Sequence, residues 1–304
     1  MNSKQRSLRN IIVMVSVHVA AIPAFWYFSW RNFALFAGLY LGTVVLGIDF
    51  CYHRLLAHRA LKARRPVLLA TAPFGVLALM GGPISFVATH RLHHIGSDTP
   101  DDPHNARESF WFSHWGWLFR RDPKLSNPEL LQRVAADVAA DPYLAFLERG
   151  STQVALHLAL MAGLFAFGGP GAVYWGMFLR IVFVYHLTFL TNSAGHTFGY
   201  RTFDLPDCSR NTWWIGALSG GEAWQNNHHA YPSVANLGHR WWETDMTFSF
   251  IRLLRALRLV SGVRVYCPVV EKVDELRHLE PARPRHDRSD DHLHGGGLAR
   301  KQAR

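Results

Sequence analysis

Eighteen histidines stand among these 304 residues, and eight of them fall in short clusters whose spacing suits a metal. His90, His93 and His94 form an i, i+3, i+4 set that shares one helical face, and Gln225, His228 and His229 repeat that spacing. His196 adds an imidazole in Asn192-Ser193-Ala194-Gly195-His196. His53 and His58 are five residues apart, about 140° around an α-helix, so they are expected to serve two ions rather than grip one. Imidazole suits zinc, copper and iron, and one ion takes about four to six ligands, so eight histidines with Gln225 point to two metals. A paired zinc hydrolase would more often mix in carboxylates and needs no lipid-embedded scaffold, which favours a redox pair of irons. His104 and His114 are expected to support the ligands from behind. His18, His157 and His186 each stand alone in an apolar stretch and read as hydrogen-bonded packing residues. His239 and His278 carry no signal, and His292 and His294 read as solvated.

Every cluster lies beside an apolar stretch, and those stretches are the elements that must position it. Residues 11–30 carry no formal charge and 33–50 are interrupted only by Asp49; a second pair, 153–168 and 172–191, is joined by Gly168-Gly169-Pro170-Gly171. Each pair reads as a helical hairpin of membrane spans, at about 20 residues per crossing. A signal peptide is the rival for the first stretch, but its apolar part is too long and a second span follows at once. Charged residues make up 18% of the chain, against about 25% in a soluble domain, which argues against an ordinary soluble enzyme. Lys4, Arg6 and Arg9 precede the first span and Arg54, Arg59, Lys62, Arg64 and Arg65 follow the second, so both termini and residues 54–150 are expected on the cytoplasmic side. The apolar run 67–87, broken by Pro73, Gly81, Gly82 and Pro83, reads as an interfacial or re-entrant helix. Arg180, inside the fourth stretch, reads as a paired or snorkelling arginine. Residues 1–278 then form an integral membrane domain and 279–304 a disordered tail. Three scattered cysteines exclude a disulfide framework and a built-in iron–sulfur carrier, and no phosphate-cradling Gly-rich loop points to nicotinamide or ATP.

The runs His53-Arg-Leu-Leu-Ala-His58, His90-Arg-Leu-His-His94 with Asp102-Pro-His-Asn105, Gly116-Trp-Leu118, Asn192-Ser-Ala-Gly-His196 and Asn226-Asn-His-His229 together resemble the membrane-bound fatty acyl desaturases of the stearoyl-CoA and acyl-lipid delta-9 kind. The likeness extends over about residues 10–265. It implies an all-α membrane protein, four transmembrane helices in two hairpins, with a cytoplasmic helical cap holding a histidine-rich di-iron site. The ligands implied are His53, His58, His90, His93, His94, His196, His228 and His229, with Asn192 acting through a water and Asp102, His104 and Asn105 behind them. The resemblance further implies that a ferredoxin or cytochrome b5 type donor with its reductase supplies electrons, that O2 is split, and that a cis double bond enters an acyl chain. The sequence departs from the family where Gln225 opens the last box in place of histidine, and where Ala88-Thr89 replaces the Arg-Asp pair of animal acyl-CoA members. The first makes Gln225 a tentative ligand; the second leaves both acyl-CoA and membrane-lipid substrates open.

An unactivated methylene C–H has no useful acidity, so acid–base catalysis is excluded and the metal must supply the oxidant. A tunnel would then fix which carbons react, its blind end expected on the face of Ala37, Leu41 and Val44. The rival enzymes are a lipid hydroxylase or decarboxylating oxidase with similar boxes. A non-enzymatic metal-binding membrane protein would instead place its histidines in mid-membrane. No nucleic acid partner is expected.

Overall fold

The computed structural model describes residues 2–216 and 218–267, of which those up to Tyr266 belong to one packed unit. The expected tail, 279–304, lies outside the described residues, as do His278, His292 and His294. Helix α1 (Ser3–Ala21) starts at a capping box in which Asn2 Oδ1 accepts from Gln5 N (2.9 Å) and Gln5 Oε1 from Asn2 N (3.1 Å). A 3₁₀ turn (Ile22–Tyr27) carries it to its end. Helix α2 (Trp30–Leu41), capped by Ser29, runs on without a break into a π-helix from Gly42 to Ala57. Where the winding changes, Thr43 Oγ1 bonds back to Leu39 O (2.8 Å), competing with the α-helical ladder.

Among the described residues, three helical runs are long and apolar enough to cross a membrane: Ser3–Tyr27, Trp30–Ala57 and Gly150–His196. The last holds both the third and the fourth expected stretch. Helix α5 (Gly150–Val173) is broken at Gly168 (φ −153°, ψ 20°) and Gly169 (φ 63°, ψ −159°), the second a conformation open essentially to glycine. A Cβ on Gly176 would lie 3.0 Å from the Leu164 side chain, although twelve residues of unbroken helix span about 18 Å, so the chain doubles back at the glycines. A π-turn (Tyr174–Leu179) then leads into α6 (Arg180–Ser193).

The apolar run 67–87 forms two pieces. Helix α3 (Arg65–Val76) has 12 residues, about 18 Å and too short to span hydrocarbon. It packs so closely on the π-helix that a Cβ at Gly47 would lie 2.4 Å from Gly75 N. Helix α4 (Pro83–Gly96) carries the second histidine cluster, and Glu148 closes its N-terminus by accepting from Ile84 N (2.8 Å), Ser85 N (3.1 Å) and Ser85 Oγ. Arg180 is fully buried and satisfied, donating to Gly176 O (2.8 Å), Thr43 Oγ1 (2.6 Å) and Leu77 O (3.0 Å), so it ties α6 to the π-helix and to the end of α3. Beyond α6 the chain forms a short helix α7 (Gln225–Ala230) and α8 (Met246–Ala256), the latter capped by Asp245. Strands β1 (Lys62–Ala63) and β2 (Val260–Ser261) pair antiparallel and close the described chain back onto the end of the π-helix.

Candidate metal centre

Four elements bring the eight histidines together in two groups. His53, His58, His90, His94 and His228 form the first; His93, His196 and His229 form the second; in each, one ring nitrogen per residue lies within 4.8 Å of all the others. The adjacent pairs His93-His94 and His228-His229 send one ring to each group, so the two groups are neighbours on α4 and α7. His53 and His58 share a group, contrary to the expectation that they serve different ions. The reason is the π-helix: His58 N donates to His53 O (3.0 Å), an i→i+5 bond that stacks the two residues where α-helical winding would splay them.

Within the first group the Nε2 atoms face one another: His53 and His228 at 3.0 Å, His58 and His90 at 2.7 Å, His94 and His228 at 2.9 Å, His90 and His94 at 3.1 Å. A neutral imidazole has one N–H, and on His53 the Nδ1 side is taken by Glu222 Oε2 at 2.6 Å. Lone pairs so crowded repel unless a cation lies among them, which is the arrangement a metal requires. In the second group the same pattern holds three times: Nδ1 of His93 faces Asp102 (3.0 Å), Nδ1 of His196 faces Asp98 (2.8 Å) and Nδ1 of His229 faces Asp207 (2.7 Å). Each carboxylate fixes the tautomer that leaves Nε2 free as a ligand. His196 Nε2 is buried and has no partner among the described residues.

Burial, then repulsion from neighbouring rings, holds His90, His93, His94 and His228 well below the ordinary histidine range, in the neutral form that binds metal. For Asp98 and Asp207 burial pushes upward, but the hydrogen bonds from His196 and His229 outweigh it and both carboxyls sit below their usual range. Glu222 is likewise opposed by burial and held down by His53 and Arg54.

Asp102 accepts from the backbone N–H of Asp98 (2.8 Å) and His104 (3.0 Å), and the His104 ring lies 4.2 Å from that of His93. Asn105 instead accepts from Arg107 N (2.9 Å), a contact within its own loop. Nor does His114 reach either group: it bonds Ser193 Oγ (3.0 Å) and His186 Nδ1 (3.0 Å), and His186 bonds His18 (3.0 Å), whose other nitrogen meets Met14 O (2.7 Å). His18 and His186, expected to be isolated, are thus partners in one chain, while His157 bonds Gln153 O (2.7 Å). Gln225 is buried beside the site, its Nε2 donating to Glu222 O (2.7 Å). Glu222, Asp98 and Asp207 escaped sequence reasoning because nothing in their local sequence marks them; Asp207 meets a histidine 22 positions away.

A cavity of about 760 Å³ adjoins both groups and is lined by His53, His90 and His93, by Asn192 and Gln225, and by apolar side chains including Ile48 and Phe189. That volume lies within the usual range for ligand sites, roughly 300–1,000 Å³. Val44 lines it. Ala37 and Leu41 do not, and Leu41 is 43% exposed. The cavity-facing residues of the π-helix are Val44, Ile48, Asp49 and His53, whereas Ala37 and Leu41 belong to α2, before the winding changes.

The scaffold is apolar and helical, as in membrane-associated proteins, and it sets two all-imidazole groups that could hold metal beside a mostly apolar cavity. A sequence model of the fatty acid desaturase family matches residues 28–252. The chain is similar to an sn-1 stearoyl-lipid 9-desaturase of Anabaena variabilis, 41% identical over 84% of this chain and 93% of that protein. It is similar also to an sn-2 palmitoyl-lipid 9-desaturase of Nostoc sp. (strain 36), at 39% over 86% and 92%, and to an acyl-CoA 5-desaturase of Anemone leveillei, at 39% over 84% and 79%. The chain belongs to the fatty acid desaturase family, and it is an oxidoreductase that desaturates fatty acyl chains.

Proposed function

We propose that the two histidine groups hold two irons and that the cavity threads an acyl chain past them, so that a cis double bond enters it, at the delta-9 position by analogy with the relatives named above. The observation that carries this reading is the contact between the two groups and one mostly apolar cavity. His53, His58, His90, His94 and His228 would ligate one iron; His93, His196 and His229 the other, with Asn192 acting through a water. Gln225 has its Nε2 committed to Glu222 O, which leaves Oε1 as the atom that could reach a metal. When bound, the irons supply the O2 reduction and the oxidising power that a methylene C–H demands.

The protein's own contribution is positioning. Glu222, Asp98, Asp102 and Asp207 hold their histidines in the ligating tautomer, and the walls at Val44, Ile48 and Phe189 keep the chain extended and dry beside them. The substrate carrier is CoA or a membrane lipid. Four spans in two hairpins, with termini and site on the cytoplasmic side, agree with the basic residues at 4–9 and 54–65 and with the chain reversal at Gly168–Gly169. Electrons come from a separate ferredoxin or cytochrome b5 type donor that docks on the basic cap. Expression in a desaturase-deficient host tests the reading: analysis of fatty acids should reveal a new monounsaturated chain, and hydroxylated or chain-shortened products would refute it.

A further inference from the structure

Removing two hydrogens from an acyl chain with one O2 has a proton requirement that the histidine groups do not meet. Two C–H bonds and the O–O bond break and a carbon–carbon π bond forms. The two hydrogens of the methylene pair, two electrons from the one-electron carrier and two protons end in two molecules of water. Those protons must reach the cavity wall beside the histidine groups.

The carboxyls around the cavity and the histidine groups are nearly all committed. Glu222 faces His53 and Arg54, Glu148 closes the start of α4 with both oxygens, and Asp98, Asp102 and Asp207 each hold a histidine. Asp49 differs. It is 1% exposed, lines the cavity and stands one π-helical turn from His53. Thr247 Oγ1 donates to its Oδ2 (3.2 Å), while no donor among the described residues reaches Oδ1. Arg54, the buried cation nearby, already faces Glu222 (3.1 Å) and Asp245 (2.9 Å), so Asp49 has no cation of its own. The chain is shaped around this group: Gly220, at φ +66°, is so close that a Cβ there would sit 2.3 Å from Asp49 Oδ2. Its neighbour Ser219 also lines the cavity, with a buried hydroxyl that has no partner among the described residues. A carboxyl and a hydroxyl thus both line the cavity that adjoins the histidine groups. The charged and titratable groups around Asp49 are Glu222, Arg54, Asp245 and Tyr40.

We infer that Asp49 is the proton carrier of this centre, delivering one proton at a time from its cavity-facing oxygen during O2 reduction and taking up the next from solvent after each transfer. The inference rests on the desaturase reading of the site. Asp49→Asn preserves shape and the Thr247 contact but cannot pass a proton.

The test compares purified, iron-loaded parent, Asp49→Asn and Asp49→Glu, supplied with reduced ferredoxin and either stearoyl-CoA or distearoyl-phosphatidylcholine vesicles, whichever the parent desaturates. In Asp49→Asn, product formation should fall by about 100-fold, the lower end of what a positioned proton donor contributes, with O2 consumption diverted to hydrogen peroxide. Asp49→Glu should restore most of the coupling. A second readout needs no turnover: the infrared difference spectrum of metal-free parent against Asp49→Asn should show loss of one protonated-carboxyl carbonyl band that shifts in heavy water. An Asp49→Asn protein with an unchanged product-to-O2 ratio, one that loses its iron, or one without the infrared change overturns the proposal. A parent that forms no double bond would instead overturn the desaturase reading itself.

Discussion

Asp207→Asn isolates what one carboxylate does for the metal centre. In the parent, Asp207 Oδ2 accepts from His229 Nδ1 at 2.7 Å while Oδ1 accepts from Ser209 N (3.1 Å) and Ser209 Oγ (2.6 Å). An asparagine has one acceptor oxygen; if it keeps His229, its amide N–H₂ must face the Ser209 N–H, and the charge is lost either way. A charge-assisted hydrogen bond is worth about twice a neutral one, and loss of a carboxylate behind a metal histidine typically costs about 10–100-fold in affinity, or about 1.4–2.8 kcal/mol. The side chain sits at the rim of the second group, so the first group should be spared. Chelator titration of purified protein, with iron read by atomic emission, should show one iron leaving Asp207→Asn at about 10–100-fold lower chelator excess than in the parent, the other iron following the parent curve. Superimposable curves would refute the claim that Asp207 tunes His229 as a ligand.

Further outcomes follow from the same geometry. His58→Ala should abolish desaturation while the protein stays in the membrane fraction; retained product would remove His58 from the site. Gly47→Ala forces a Cβ to 2.4 Å from Gly75 N and should cost about 1–3 kcal/mol, read as a lower unfolding temperature in detergent, whereas an unchanged midpoint would mean that the π-helix and α3 part easily. Asp137 is held down to about 2: burial opposes this, but hydrogen bonds from Arg91 (2.6 and 3.0 Å) and Arg59 (2.8 Å) prevail. Its folded value lies below the unfolded one of about 3.9, so its contribution is present above that pH and is lost as pH falls from about 4 toward 2. Asp137→Asn should therefore flatten the stability profile in that window, and a parallel profile would contradict the pairing.

How far the sequence could be read depends on which forces are local. The i, i+3, i+4 sets at His90–His94 and Gln225–His229 were legible because α-helical winding alone puts those side chains on one face. Apolar length revealed the stretches around 11–30, 33–50 and 153–191, and the glycines at 168 and 169 marked the reversal. His53 with His58 was misjudged because the switch to π winding at Gly42 has no compositional mark, and it joins the two by an i→i+5 bond. Carboxylate partners such as Asp98 and Asp207 were hidden because they reach histidines through tertiary folding of the loops at 97–105 and 201–210.

The proposed centre holds two metals, both iron, one in each histidine group. The metal-to-protein ratio of the purified chain, measured by atomic emission for iron and zinc together, tests it most directly. About two irons per chain and only traces of zinc are expected. A ratio near one, or zinc in place of iron, would contradict it.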